Sequence, residues 1–249
     1  MKAIRRLDLE LNELKWWANW ANLQWSGSGA YLLSSEEMPE VFFNRGGLTD
    51  CGARTAVVNR LEKGLIALGR MPALTVFESC HQAIGTLSRK GYEIADRMTV
   101  MEAEDGVHSR GDSPARVRLS SSMEKWSKAY LSAFYGELDL LPVTRKIVDR
   151  VRGLDSVTLL EAEVDGTVAG VSALFRTERL LGAYCIGTVP RFRERGVAGA
   201  LLNHTWSVAS SEGRSLVLQV LESDGARRFY EKRGFRAVYA KAIMEKKGY

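Results

Sequence analysis

The chain has 249 residues, 45% of them hydrophobic, and a net charge of +5 at pH 7, which is enough apolar material for one large core or two modest ones. The charge is mild and forms no dense basic stripe, so nucleic acid is not expected as a partner. No apolar stretch approaches the ~20 residues of a membrane span, and the charged opening, Met1 to Glu13, lacks the apolar core of a signal peptide.

Cys51, Cys80 and Cys185 are odd in number, far apart and without C-x-x-C spacing. They read as buried thiols in a reducing, cytoplasmic setting rather than as disulfides or a metal site. His81, His108 and His204 each stand alone and read as surface or packing residues, so no metal is expected.

The first predicted element is a helix with Leu7, Leu11, Leu14, Trp17 and Ala21 at helical spacing, to which Trp16, Trp20 and Trp25 add aromatic bulk. Asp8, Glu10, Asn12 and Glu13 argue against adsorption to a membrane. The stripe reads as packing against its own domain, with the wall of a substrate pocket as the alternative. Leu74 to Ser79 reads as a strand. Glu102 to Arg116 is polar, contains Gly, Ser and Pro, and shows no apolar period, which makes it the natural linker.

Beyond it, Arg116 to Leu119 reads as a strand, and Ser121-Ser122-Met123-Glu124 caps a helix running to about Tyr135. Leu141 to Val151 follows as a helix with Pro142 in its first turn. Val157 to Val164 and Val168 to Arg176 flank Asp165-Gly166, the strongest short hairpin signal in the chain. Tyr184 to Val189 is the next strand.

Then comes Arg193-Glu194-Arg195-Gly196-Val197-Ala198, opening a helix from Val197 to Ser210. A turn between strand and helix leaves several backbone N–H groups unpaired and pointing one way. Gly196 and Ala198 keep side chains clear of an approaching pyrophosphate, while the helix dipole and the arginines supply positive field. Leu216 to Leu221 is a short apolar strand. Ser223 or Asp224 can cap the following short helix, which carries Phe229 and Tyr230, and Gly234 can end it.

Strand, R-x-x-G-x-A, helix, strand, Tyr-bearing helix, Gly-Phe, strand: this order over Arg116 to Lys247 resembles the GNAT superfamily of acyl-CoA-dependent N-acyltransferases. The family's second motif, N-x-x-A-x-x-[LF]-Y-x-x-x-G-F, is matched by Ala226, Phe229, Tyr230, Gly234 and Phe235, with Ser223 where Asn is usual. The resemblance implies an α/β (α+β) fold with a mixed, mostly antiparallel sheet flanked by helices.

It also implies a site. Arg193, Glu194, Arg195, Gly196, Val197 and Ala198 would hold the pyrophosphate of acetyl-CoA. Backbone groups of Ile186, Gly187, Thr188 and Val189 would pair with the pantetheine arm like an added strand, and Ser223 would contact its amide. Tyr230 would be the general acid toward the thiolate, since a phenol of ordinary pKa ~10 is protonated at neutral pH. Glu222, at the end of its strand, is the residue put forward as general base. Glu161 and Glu163, of equal parity on one strand, read as solvated carboxylates.

The chain also resembles itself. At a separation of 144, Leu74 to Ser79 matches Leu218 to Ser223, Gly52 matches Gly196, and Gly69-Arg70 matches Gly213-Arg214. At 143, Lys90-Gly91-Tyr92 meets Arg233-Gly234-Phe235 and Met101-Glu102 meets Met244-Glu245. In the first copy Thr49, Cys51 and Arg54 replace Arg193, Arg195 and Ala198, so it reads as incomplete and non-catalytic. The expected organisation is a degenerate lobe over 1–104, a linker over 105–115 and a catalytic lobe over 116–249.

The expected activity is direct transfer of acetyl from acetyl-CoA to a primary amine. The alternative is an acyl-CoA-binding or regulatory protein without turnover. The amine is not identified, and either a monomer or a homodimer fits.

Overall fold

The computed structural model describes residues 6–27, 29–104 and 113–248. Residues 105–112 of the expected linker, His108 among them, lie outside the described residues, as do Met1 to Arg5. The elements in order are α1 (Arg6–Trp17), β1 (Asn22–Trp25), β2 (Ala30–Ser34), β3 (Arg45–Leu48), α2 (Thr55–Ala67), β4 (Ala73–Phe77), α3 (His81–Arg89) and β5 (Tyr92–Ala103). They continue with β6 (Arg116–Leu119), α4 (Met123–Phe134), α5 (Leu141–Arg152), β7 (Val157–Val164), β8 (Thr167–Arg176), β9 (Leu180–Thr188), α6 (Val197–Ser211), β10 (Ser215–Leu221), α7 (Arg227–Glu231) and β11 (Phe235–Lys246). No described helix is long and apolar enough to cross a membrane.

The chain forms two compact units. The first holds Met1–Met101 together with Gln219–Lys232 and Arg236–Tyr249, and the second holds Glu102–Leu218 and Arg233–Phe235. In the first, the strand order is β1-β2-β3-β4-β11-β5. The chain's last strand, β11, therefore lies beside β4, antiparallel to it from Lys241↔Phe77 to Glu245↔Ala73. β5 and β11 match residue for residue at a separation of 143 and bury the same central stretch, Met98 to Met101 in one and Lys241 to Met244 in the other.

Helix α1 puts Trp16 and Trp17 in the interior, and Trp20 follows them inward, its ring stacked on Phe43. Trp16, Trp17 and Trp20 are thus packing residues, whereas Leu7 and, on β1, Trp25 are exposed. Two of the three acidic residues of α1 do not face water: Glu10 and Glu13 are buried. Lys241 Nζ lies 3.0 Å from Glu10 and also pairs with Glu13, whose other oxygen accepts from Arg45 Nη2 at 2.8 Å. Buried charges survive only when paired in this way.

A second difference from the sequence reading is covalent. Cys51, in the turn before α2, and Cys80, just before α3, form a disulfide with Cα atoms 5.0 Å apart. Only Cys185 is a free thiol among the described residues. Spacing along the chain carried no sign of the pair, because the βαβ crossover β3–α2–β4 is what brings the two turns together.

In the second unit the order is β10-β9-β8-β7-β6, antiparallel except for β9 and β10. Ser122 caps α4 by accepting from the N–H of Lys125, and Pro142 occupies the first turn of α5, as their sequences require. The Asp165-Gly166 turn takes left-handed φ at both residues, 50° and 73°. Strand β9 starts at Leu180 rather than Tyr184, because Leu181 to Ala183 pair with β8 through Arg176, Phe175 and Leu174 and Leu180 pairs with Ser215 of β10. The sheet carries α4 on one face and α6 on the other: a Cβ on Gly187 would meet Phe134 and Ala133, and one on Gly170 would meet Val197 and Leu201.

Candidate functional site

In the second unit, parallel β9 and β10 are joined through α6, and what lies between β9 and α6 is the site's first part. The parallel ladder runs from Ser215↔Leu180 to Val217↔Gly182, while β9 itself continues to Thr188. Along that continuation its antiparallel pairing with β8 is interrupted. Val171 faces Gly187 but Ala173 faces Tyr184, so Cys185 and Ile186 together oppose Ser172. This is a β-bulge, and Cys185 takes a left-handed φ of 52° to make it. Burial of its thiol pushes the Cys185 pKa up, which makes it a packing group rather than a nucleophile.

Past the bulge, Val189 donates its N–H to the carbonyl of Ala169 at 2.9 Å. By the alternation of an antiparallel ladder, Gly187 and Val189 turn their backbone groups to β8, and Thr188 turns its own away.

The chain then makes a 3-10 turn, Pro190–Phe192, and reaches α6 through Arg193 to Gly196. Glu194 and Gly196 are both left-handed, with φ of 63° and 75°. For Glu194 such a conformation costs about 1–2 kcal/mol. Ala200 donates to the carbonyl of Gly196 as the first helical bond, so the amides of Val197, Ala198 and Gly199 have no partner within α6. Arg191, Glu194, Arg195 and Arg193 are exposed around this turn.

Phe192 is buried beneath two guanidinium groups, Arg191 at 4.9 Å and Arg195 at 5.5 Å from its ring centre. Arg195 also lies 3.8 Å from Asp165, and Arg193 donates to the carbonyl of Ala133 at 3.3 Å, at the end of α4. A Cβ on Gly196 would stand 3.1 Å from Ser113 Oγ. The turn sets amides without an intrahelical partner beside exposed arginines, the arrangement that takes a phosphate.

The other sequence-predicted residues belong to the first unit. Helix α7 is short, and its N-cap is Ala226 rather than Ser223 or Asp224, because Gly225 interposes a left-handed φ of 63°. Tyr230 is buried and meets the ring of Phe229 edge-on, centres 5.2 Å apart. Glu222 is exposed and ion-paired with Arg97 at 3.2 Å, and Arg97 also holds Glu78 at 2.7 Å. The Ser223 hydroxyl donates to Asp96 at 2.5 Å. Burial, with the charge of Asp96 adding to it, holds the Asp224 carboxyl above its ordinary range.

Glu161 and Glu163 are not the solvated pair their spacing implied. Glu161 is wholly buried on β7, accepting from the Ser120 hydroxyl at 2.7 Å, and Arg118 bonds Glu163 at 2.6 Å and stands 3.4 Å from Glu161. Their shared face is covered by the end of β6 and the start of α4. Among the described residues, no three His, Cys, Asp or Glu side chains converge as metal ligands.

Residues 144–249 match the family described as Acetyltransferase (GNAT) domain. Over those residues the chain is similar to a GNAT domain. No curated protein matches the sequence, but solved GNAT structures share its fold. A GCN5-related N-acetyltransferase from Kribbella flavida is similar with a TM-score of 0.71 and 13% identity, over 97% of this chain and 96% of that one. A GCN5-related N-acetyltransferase from Sphaerobacter thermophilus aligns with a TM-score of 0.64 and 19% identity, over 88% of this chain and 76% of its own. A tandem GNAT protein from the clavulanic acid biosynthesis pathway aligns with a TM-score of 0.59 and 11% identity, over 89% and 80%.

The matched span of the GNAT domain contains the whole R-x-x-G-x-A turn, the end of β9 and Tyr230. It begins inside α5, after α4, so Phe134 on Gly187 lies outside it. Neither Phe134 nor the Cys185 bulge was visible in sequence. A bulge of this kind has no residue signature unless glycine makes it, and Phe134 meets Gly187 across a long loop of chain.

Proposed function

We propose that the chain is an acyl-CoA-dependent N-acetyltransferase whose GNAT domain works and whose first half is a non-catalytic relative of it. The observation that carries this reading is the turn from Arg193 to Gly196, with two left-handed residues, free amides at the start of α6 and arginines on its rim. Arg193, Glu194, Arg195, Gly196, Val197 and Ala198 hold the pyrophosphate of acetyl-CoA, and of the stretch Ile186 to Val189 it is the backbone of Thr188 that guides the pantetheine arm, since Gly187 and Val189 turn theirs to β8. The first half has Thr49, Cys51 and Arg54 at the matching places, and its Cys51 is tied to Cys80.

In the reaction the lone pair of a primary amine forms the new C–N bond at the thioester carbonyl. The C–S bond then breaks with its electron pair on sulfur. Tyr230 gives its phenolic proton to that thiolate, and the proton of the ammonium passes to Glu222 or to water. Donors that face the carbonyl oxygen as it gains charge lower the barrier most.

The Arg97 pair favours a second reading. Glu222 is held by a guanidinium, and a chain without a free base at that position could bind acyl-CoA without turning it over.

Calorimetry with acetyl-CoA on the intact chain and on an Arg193→Ala/Gly196→Glu variant tests the first reading. One equivalent bound by the former and none by the latter is expected; no binding by either sinks it. Coenzyme A release across a panel of amines separates transfer from binding. Tyr230→Phe is expected to slow release by a hundred-fold or so, and a loss below a few-fold would remove Tyr230 from the chemistry.

A further inference from the structure

The Cys51–Cys80 bridge lies wholly within the first unit, and its two ends are unlike. Cys80 is buried and belongs to an apolar cluster with Leu48, Val58, Ala83 and Leu87. It is the N-cap residue of α3, whose nine residues start at His81, and its side chain makes no capping bond to that helix. Ile84 makes the first helical bond, to the Cys80 carbonyl at 3.1 Å, so the amides of His81, Gln82 and Ala83 have no partner within α3. At this position a helix stabilises a thiolate, through those amides and through its dipole.

Cys51 is exposed, as are its neighbours Asp50, Gly52 and Arg54. The amide that follows it, that of Gly52, donates to the Asp50 carboxylate at 2.9 Å. The rest of the turn is held by bonds of equally short range, Ala53 donating to the carbonyl of Cys51 at 3.1 Å and Arg54 to that of Gly52 at 2.7 Å. The bridge therefore joins an exposed turn to a buried cluster, with the reachable sulfur on the turn and the better leaving sulfur at the start of α3.

We propose that the bridge is a reversible thiol–disulfide switch, opened from the Cys51 side by a small thiol or dithiol, and that what it controls is the turn Asp50 to Arg54. A thiolate attacks Cys51 Sγ and forms a mixed disulfide there. The bond to Cys80 breaks with its electron pair on Cys80 Sγ, and a leaving sulfur of lowered pKa departs faster. A second thiolate then attacks the reagent's sulfur, which frees Cys51 as a thiolate and removes the reagent as its own disulfide. Two thiols are oxidised, the bridge takes up two electrons, and the two protons that the thiols shed end on Cys51 and Cys80. The switch acts within the first unit and does not depend on the acyl-CoA reading.

The test uses the intact, unreduced chain, with glutathione as the monothiol probe and the buried thiol of Cys185 as internal control. Brief exposure is ended with acid, which protonates thiolates and stops exchange, and peptic peptides are weighed. Glutathione is expected on Cys51 at least about ten times as often as on Cys80, and not on Cys185. Dithiothreitol is expected to open the native bridge within about ten-fold of the rate in the urea-unfolded chain, since attack needs no prior unfolding. Once it is open, trypsin should cut after Arg54 at least about ten-fold faster, and reoxidation should restore resistance.

Glutathione equally or mainly on Cys80 overturns the direction of opening. A bridge that dithiothreitol opens only in urea is a structural staple, and the switch is then wrong. Cleavage after Arg54 at the same rate in both states overturns the release of the turn.

Discussion

The backbone N–H of Glu222 donates to the carbonyl of Arg97 at 2.8 Å. Its counterpart in the repeat, Glu78, donates in the same way to Ala240, the counterpart of Arg97, at 3.0 Å. Both bonds lie within the first unit, one from just past β10 to β5 and the other from just past β4 to β11. The matched bonds support the proposed duplication more strongly than residue identity does, since they keep register where side chains have changed. They also explain why the first unit is built from both ends of the sequence.

The place of β11 in that unit sets Lys241 against Glu10 and Glu13 of α1. Its match on β5 is Met98. Lys241→Met leaves Glu13 with Arg45 and Glu10 with only the Tyr239 hydroxyl, and is expected to cost about 3–5 kcal/mol. The pH dependence follows from the two shifts. Burial alone would lift the Glu13 pKa, but the ammonium of Lys241 and the guanidinium of Arg45 outweigh it and hold the carboxyl below its ordinary range. Its contribution is therefore full above the unfolded value near ~4.3 and is lost as pH falls through the folded one.

Lys241 runs the other way. Burial would lower its pKa, but Glu10 and Glu13 outweigh that and raise it. Its contribution is full below the unfolded value near ~10.4 and is lost as pH rises through the folded one. The difference in urea midpoint between the intact chain and Lys241→Met should thus be flat from about pH 5 to 10. The deficit of Lys241→Met should shrink at pH 4, where the stranded carboxylates take up protons. A deficit that is the same at pH 4 and pH 7 would show that the loss is one of packing.

How much of this was legible beforehand depends on the range of the interaction. The Asp165-Gly166 hairpin, the cap at Ser122 and the start of α6 at Gly196 are local, and their residues signal them directly. The self-resemblance read in the sequence has a structural parallel in β5 and β11, which keep the same spacing of buried positions. What escaped was set by pairing across the chain. Glu10 and Glu13 look like a solvated helix face until Lys241 arrives from the far end. Ser223 looks like a cap until Asp96 takes its proton. Glu161 looks exposed until Ser120 and Arg118 cover it.

The Cys51–Cys80 bridge closes a loop whose ends are 29 residues apart. On the loop-closure scale such a link is worth about 3–4 kcal/mol. Thiol titration of denatured, unreduced protein should detect Cys185 alone, and after reduction all three cysteines. Reductant, or a Cys51→Ala/Cys80→Ala variant, should lower the urea midpoint by a matching amount. If the Cys51 turn is the non-catalytic counterpart of the phosphate turn proposed above, acetyl-CoA affinity should stay unchanged in that variant. A gain of a second bound equivalent would instead mean that the bridge had been closing a competent site.

Gly187 allows α4 to lie directly on β9. A Cβ there would come within 2.6 Å of the Phe134 ring and 2.9 Å of the Ala133 methyl. Phe134 is half exposed and its ring can swing away, whereas Ala133 moves only with the helix. Gly187→Ala is therefore expected to cost about 1–3 kcal/mol, the usual range for overpacking, and Phe134→Ala added to it should recover only part of that. Arg193 should feel the same shift, since it donates to the carbonyl of Ala133, so acetyl-CoA binding should weaken along with thermal stability. Full recovery of stability in the double variant would show that the ring alone, and not the seating of α4, makes glycine necessary at this position.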